Sequence, residues 1–294
     1  MDAATRRLLI GVQVCFGVFP ALGKLAMEAF DPRAVLVWRL FVGAGVLLGI
    51  AVLRHGRRAW PGWGDCLRLA GLSLLGVSIN QALFLEGLDR STSVNAGLLM
   101  TVIPVATVGL SAWLRAEPLT RPRLIGVTLA VAGVAWLFVG RGAGLGAATL
   151  TGDLLMTANA LSYSCYLVLA RPVLLRQPNL VVVGWIFAWG AVTTPWIALD
   201  VTWWPAAAEA RHWAALGGVL LLPTILAYLG NAIVLARTHA TVTATYVMLQ
   251  PFVAAALGIA VLGERPGWRV AVTAPCVLGG LWLVSRPPGR VGAR

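Results

Sequence analysis

Long apolar stretches alternate with short polar breaks along nearly the whole chain. A helix that crosses the hydrocarbon core of a bilayer needs about 20 mostly apolar residues. Ten stretches meet that need: Leu8–Met27, Arg33–Leu53, Cys66–Gly87, Thr92–Leu114, Pro122–Val139, Gly152–Val173, Leu180–Leu199, Trp213–Ala236, Thr241–Leu262 and Trp268–Ser285. The breaks hold residues that stop helices by fixing φ or removing a backbone donor. They include Asp31-Pro32, Pro61-Gly62, Glu117-Pro118, Arg141-Gly142, Gln177-Pro178-Asn179, Trp204-Pro205 and Arg265-Pro266-Gly267. No break has room for a soluble domain. The pattern predicts an all-α polytopic membrane protein with ten transmembrane helices and short tails at 1–7 and 286–294.

Composition agrees. Of 294 residues, 59% are hydrophobic and 12% charged, too few charges to cover a soluble body of this size. The net charge of +12 does not indicate nucleic acid, because the basic residues flank apolar runs instead of sharing one exposed face. Their placement gives the direction of insertion. With the N-terminus inside, 15 Lys and Arg fall in cytoplasmic segments and seven in outer ones, leaving Arg39 within the second span. That bias places both termini in the cytoplasm. Arg6 and Arg7 precede a run with no small-residue cleavage site, so the first span is expected to be retained. Lys24 is the sole lysine, and Arg, Ala, Gly and Val are abundant, a usage that points to a GC-rich bacterial genome and a cytoplasmic (inner) membrane. Cys15, Cys66, Cys165 and Cys276 are scattered, without metal-ligand spacing, so no cofactor or metal is expected.

The chain also repeats itself. A gapless offset of 147 residues places Gly71 on Gly218, Arg90 on Arg237, Pro104 on Pro251, Glu117 on Glu264 and Gly133 on Gly280. Arg, Pro and Glu are scarce enough in spans to make these matches informative. Two halves of five spans each, 8–139 and 152–285, must insert with opposite orientation. Inverted repeats suit alternating access around a central cavity, because exchanging the conformations of the halves turns an inward-open state into an outward-open one.

Two segments mark this repeat, Ser91–Glu117 and Thr238–Glu264. Each opens on small and hydroxyl residues, carries a mid-span Pro and closes on Glu. With Phe16-Gly17 leading to Lys24 and Asp31-Pro32 leading to Arg39-Leu40-Phe41, the chain resembles the EamA-type branch of the drug/metabolite transporter superfamily from Leu8 to Ser285. The resemblance implies a cavity walled by spans one, three, four, six, eight and nine. It also implies export or exchange of small metabolites, amino-acid-like or drug-like. The first span lacks the intramembrane Glu of the superfamily's four-span multidrug exporters, so their proton-antiport scheme does not carry over directly.

Polar side chains inside spans gather on cavities or on helix contacts. Asn159, Tyr163 and Tyr166 share one helical face, as do Tyr246 and Gln250. Asn80, Gln81 and Phe84, Asn95, and Tyr228 and Asn231 complete the candidate substrate-binding set. Amides would orient a zwitterion or carboxylate, and aromatic faces would receive an apolar or cationic group; helix-to-helix bonding is the alternative for each. Pro20, Pro104, Pro223 and Pro251 lie within spans and free the carbonyls of Phe16, Met100, Val219 and Val247. They are candidate kinks. Lys24, Arg39 and Glu86 suggest a charge-paired outer gate, with Glu86 the expected partner of Arg39 and the candidate proton carrier. Glu117 and Glu264 are expected to tie down loops. The expected partners are thus a small-molecule substrate, the lipid bilayer and candidate coupling protons, but no nucleic acid. Gly43, Gly45 and Gly49, with Gly126 and Gly133, suit close helix contacts in either a monomer or a homodimer.

A membrane enzyme is disfavoured: no Asp-rich metal motif and no Gly-x-Ser-x-Gly setting occurs. A lipid scramblase is the alternative, and it would need a polar groove facing lipid.

Overall fold

A computed structural model of the chain describes residues 1–91, 99–138, 150–194, 198–253, 256 and 268–286. Among the described residues there are ten helical spans and no strand. They are α1 (Ala3–Met27), α2 (Pro32–Ala59), α3 (Trp63–Arg90), α4 (Val102–Trp113), α5 (Arg121–Phe138), α6 (Leu150–Leu174), α7 (Asn179–Thr193), α8 (Ala210–Arg237), α9 (from Ala240) and α10 (Trp268–Val284). Four of them, α1, α2, α3 and α8, are both long and apolar enough to cross a bilayer unaided.

Local chemistry sets the ends. Asp2 caps α1, accepting from Thr5 N at 2.6 Å, and Asp31 caps α2 through Arg33 N at 2.8 Å, with Pro32 in the first turn. The regular part of α2 stops at Gly56, whose φ of 52° suits a residue without Cβ. The helices outrun the expected stretches where polar residues extend them into the interface, as in α3 and α8. The seventh is shorter, ending at Thr193 instead of Leu199.

The outward surface is apolar: Leu53, Trp113, Leu161, Val192 and Leu221 are exposed. A surface of that kind belongs in lipid. The inner contacts pair α2 with α7, α5 with α10, α3 with α6, and α1 with α8. They obey the 147-residue offset. Gly43 abuts Phe187, and their counterparts Gly190 and Leu40 abut each other. A Cβ added at Gly126 would lie 2.6 Å from the Gly280 carbonyl, and Gly133, the partner position of Gly280, is in contact with Thr273, that of Gly126. Gly43, Gly126 and Gly133 are therefore spent on contacts within one chain, whereas Gly45 and Gly49 meet no neighbour.

Two irregular turns do not appear in the hydropathy pattern. In α3 the residues Leu74–Ser78, and in α8 Leu220–Leu226, form π-type turns with one residue too many per hydrogen bond. They fall at corresponding positions in the two halves. Such bulges free carbonyls, which other helices then satisfy.

Candidate functional site

The freed carbonyls organise the centre of the protein. In α3, Gly76 O accepts the Tyr228 hydroxyl at 2.8 Å and Leu75 O accepts Ser162 Oγ at 2.7 Å. In α8, Pro223 cannot donate to Val219 O, and Thr224 Oγ1 does so instead at 2.8 Å. The Thr224 hydroxyl in turn accepts Arg39 Nε at 2.9 Å. Arg39 is 1% exposed, and its guanidinium lies over the Phe19 ring, 4.1 Å from the centroid.

Around it the two halves supply matched side chains. Gln81 and Tyr228 stand 147 residues apart, and Gln81 Nε2 donates to Tyr228 Oη at 3.2 Å, so this pair marks the axis relating the repeats. By the same offset Phe16 and Phe19 of α1 correspond to Tyr163 and Tyr166 of α6, and Phe84 to Asn231. Phe19 stacks on Phe84 with centroids 4.8 Å apart, Tyr163 on Tyr166 at 5.9 Å, and Phe16 meets Tyr228 edge-on at 5.7 Å. The Asn231 side chain lies beside the Tyr163 hydroxyl. The structure thus gathers Gln81, Phe84, Tyr163, Tyr166, Tyr228 and Asn231 into one buried aromatic and amide cluster, with Arg39 at its edge.

Other residues singled out from the sequence are engaged elsewhere. Asn80 and Asn159 clasp each other's backbones, Asn80 Nδ2 to Asn159 O at 3.1 Å and Asn159 Nδ2 to Asn80 O at 2.7 Å. Their amides fasten α3 to α6. Tyr246 Oη bonds Ser285 Oγ at 3.0 Å, tying α9 to α10, and Gln250 donates to Gln13 Oε1 at 2.9 Å. Gln13, a buried amide in α1, was not singled out, although an amide amid apolar neighbours is itself a signal. Asn95 and Glu264 lie outside the described residues.

The expected Arg39–Glu86 pair does not form. Glu86 is ion-paired with Arg90, one turn away on α3, and the buried Arg39 is held by Thr224 and Phe19 instead. The i,i+4 spacing makes Arg90 the nearer partner. Lys24 is exposed, with no ion pair or hydrogen bond among the described residues. The prolines act locally. α1 breaks at Val18, just before Pro20. The Met100 carbonyl receives Ile103 N at 3.1 Å, and the Val247 carbonyl receives the Gln250 N–H, so the carbonyls freed by Pro104 and Pro251 are not open acceptors.

A second polar site closes the face that carries the N-terminus, where Asp2 feels the charge of Arg237. Glu117, in the loop after α4, is 8% exposed. Its carboxylate accepts Thr241 N at 2.9 Å, Ser111 Oγ at 3.0 Å and the Thr241 hydroxyl. Thr241 lies in the first turn of α9, so the carboxylate also meets the positive end of that helix. His239 Nδ1 is 3.0 Å from Oε2 but off the hydrogen-bond angle, and Arg123 Nη1 is 4.0 Å away. Burial raises the pKa of this carboxyl, but His239, Thr241 and Ser111 outweigh it and hold it at about 2, below the ordinary 4.5. Beside it Arg171 Nε donates to Thr238 O at 2.7 Å. Glu117 is therefore a tie between the two halves across 124 residues of sequence, more than a loop anchor.

The EamA-like transporter family profile matches residues 7–139 and 150–286. An uncharacterized transporter of Archaeoglobus fulgidus is 26% identical over 266 residues, covering 89% of this chain and 90% of that protein. A probable terminal-alkyne amino-acid exporter of Streptantibioticus cattleyicolor is 27% identical over 290 residues, covering 97% of this chain and 94% of that protein. A solved crystal structure covers 97% of both chains with a TM-score of 0.79 at 19% identity, a likeness of fold.

Proposed function

The chain belongs to the EamA-like transporter family, and from that premise we propose that it is a secondary transporter that exports or exchanges small metabolites by alternating access. The observation that carries this reading is an asymmetry between the two faces. Under the 147-residue offset, Arg171 and Thr238 correspond to Lys24 and Ser91. The first pair is bonded at the N-terminal face. The second is not: Lys24 is exposed at the opposite face, and Ser91 Oγ donates to Asp153 at 2.6 Å. The bond made at one face is not repeated at the corresponding positions of the other, an asymmetry in keeping with one half of an alternating-access cycle.

Between the faces lies the cluster around Tyr228, which provides aromatic surface with a few fixed polar groups, a composition suited to small organic ligands. The name of the Streptantibioticus relative favours amino-acid-like cargo. The bias of basic residues favours a cytoplasmic membrane with both termini inside. The alternative, a lipid scramblase, is disfavoured because the polar side chains near the middle of the bundle, among them Gln13, Arg39, Gln81, Asn159 and Asn231, are buried.

The test is counterflow in proteoliposomes with labelled amino acids, nucleosides and lipophilic cations, repeated under an imposed pH gradient. Uptake of one class that depends on trans substrate supports the proposal, and a response to the gradient adds protons as partner. Vesicles that move labelled lipid but no solute would overturn it in favour of scrambling.

A further inference from the structure

The end of α2 gathers three exposed arginines, Arg54, Arg57 and Arg58, on the face that carries the N-terminus. Among the described residues no ion pair or hydrogen bond engages their side chains. The one acid of the segment 53–65, Asp65, is already spent, accepting Arg68 Nη1 at 3.1 Å and Gln177 Nε2 at 3.0 Å. The backbone beneath the arginines is fixed. Ala59 is buried, and its carbonyl accepts Trp185 Nε1 of α7 at 2.7 Å. The Trp60 ring meets the Trp185 ring edge-on at 5.3 Å, and Trp60 N donates to Arg57 O at 3.3 Å. Apolar surface adjoins the cations. Leu53 and Trp60, with Trp63 and Leu67 in the first turns of α3, are exposed. Tryptophans at the ends of spans sit at the level of the lipid headgroups, which puts the arginines at the depth of the lipid phosphates.

The inverted twin of this segment separates anchoring from charge. Under the 147-residue offset, 53–65 corresponds to 200–212. That segment keeps two tryptophans, Trp203 and Trp204, but sets one arginine against two acids. Both acids are paired, Asp200 with Arg33 and Glu209 with Arg211. Aromatic anchoring is thus common to the two loops, whereas the unneutralised cations belong to one. The bias that orients a chain in the membrane needs only the number of cations near the ends of spans. It requires neither a pinned backbone nor bare apolar side chains next to them.

We propose that this corner of the N-terminal face is a binding site for an anionic phospholipid. The guanidinium groups of Arg54, Arg57 and Arg58 hold the phosphodiester, and the acyl chains lie along Leu53, Trp63 and Leu67. A phosphodiester supplies the negative charge and the oxygens that a guanidinium fork matches, and basic pockets at the ends of spans take anionic headgroups on the cytoplasmic side. A zwitterionic headgroup brings its own cation toward the arginines and gains less. The lipid bridges the ends of α2 and α3 at the rim, apart from the aromatic cluster and independent of what the protein carries.

The test releases the full-length protein from mixed micelles of phosphatidylglycerol and phosphatidylcholine, in equal amounts and with the same acyl chains, and counts retained lipid by native mass spectrometry. Phosphatidylglycerol should be retained about tenfold in preference, within the gain of about fivefold that each arginine brings near an anionic surface. Replacing Arg54, Arg57 and Arg58 together by Gln should lower the preference to about twofold or less. Replacing Arg6, Arg7 and Arg121 by Gln removes the same charge from exposed positions on the same face and should leave the preference intact. A second measurement needs no variant: phosphatidylglycerol with a photoreactive acyl chain should label peptides within 53–67 and spare 200–212. Equal retention of the two lipids, a preference that survives in the folded triple variant, an equal loss in the control, or labelling spread over both loops overturns the proposal. Displacement of the lipid by excess inorganic phosphate also overturns it, in favour of a site for a free anion.

Discussion

Replacing Glu117 by Ala should open the N-terminal face. The carboxylate accepts from Thr241 N, Ser111 Oγ and the Thr241 hydroxyl, with Arg123 and His239 beside it. Truncation leaves these donors unpaired in a buried setting, and breaking a buried charged pair on one side costs about 3–5 kcal/mol. The fall of the carboxyl from 4.5 to about 2 means that the same contacts favour its charged form by about 3 kcal/mol, at about 1.4 kcal/mol per unit, which is of the same order. If the contacts exist only when this face is closed, a loss of about 3 kcal/mol shifts the closed-to-open ratio by about 100-fold. Hydrogen exchange at the start of α9 reports it directly, because the Thr241 amide is bonded to the carboxylate. Exchange in the segment 240–246 should speed up about 100-fold in the Ala variant and less in Glu117→Gln, which keeps an acceptor. A depressed folded-state pKa means that the stabilisation is complete above about 4.5 and is lost only as pH falls toward about 2. Protection should therefore stay constant from pH 8 to pH 5.5 once intrinsic exchange is corrected. Unchanged exchange in Glu117→Ala, or loss of protection near pH 6, would refute the latch.

Four further outcomes are expected. Lys24→Ala should leave the melting temperature unchanged and slow substrate counterflow, because Lys24 would take up in the opposite state the role Arg171 has here; unaltered turnover removes that handover. Asn80→Ala and Asn159→Ala should each cost about 1–3 kcal/mol in denaturant titrations in detergent, and the double variant should cost close to their sum, since each amide bonds a backbone carbonyl that the other truncation leaves in place. Gly76→Ala should lower the yield of folded protein in size-exclusion chromatography, because the new Cβ would collide with the Tyr166 ring, whereas Gly11→Ala, with open space around it, should behave as the native protein. Gln13→Leu and Gln250→Leu should each destabilise by about 1 kcal/mol with partial recovery in the pair, read from the same titrations.

The spans, their number and the duplication were legible in the sequence because they depend on composition over twenty residues and on a fixed offset. The π-type turns were not, since one extra residue in a turn leaves hydropathy unchanged. Everything at the centre follows from them: the Gly76 carbonyl that meets Tyr228, and Thr224, whose hydroxyl substitutes for the donor lost at Pro223. Thr224 had a readable cue, a hydroxyl directly after an intramembrane proline. The partner of Arg39 is not readable from depth in the span, because Glu86 has Arg90 one turn along its own helix. That Asn80 and Asn159 bond each other's backbones is not legible from one sequence, because nothing in it tells a helix clasp from a ligand contact. The reach of Glu117 to Thr241 was half visible. Each repeated segment opens on hydroxyl residues and closes on Glu, so the end of one copy was available to meet the beginning of the other.

The Gln81–Tyr228 bond joins two positions that are images of each other. Any motion that swaps the shapes of the two halves carries this pair onto itself, so its length has no reason to change while the faces swing apart. On the proposed alternating-access reading the pair is a fulcrum: labels placed there should report the same separation in the two end states, and the change between them should fall on the rims.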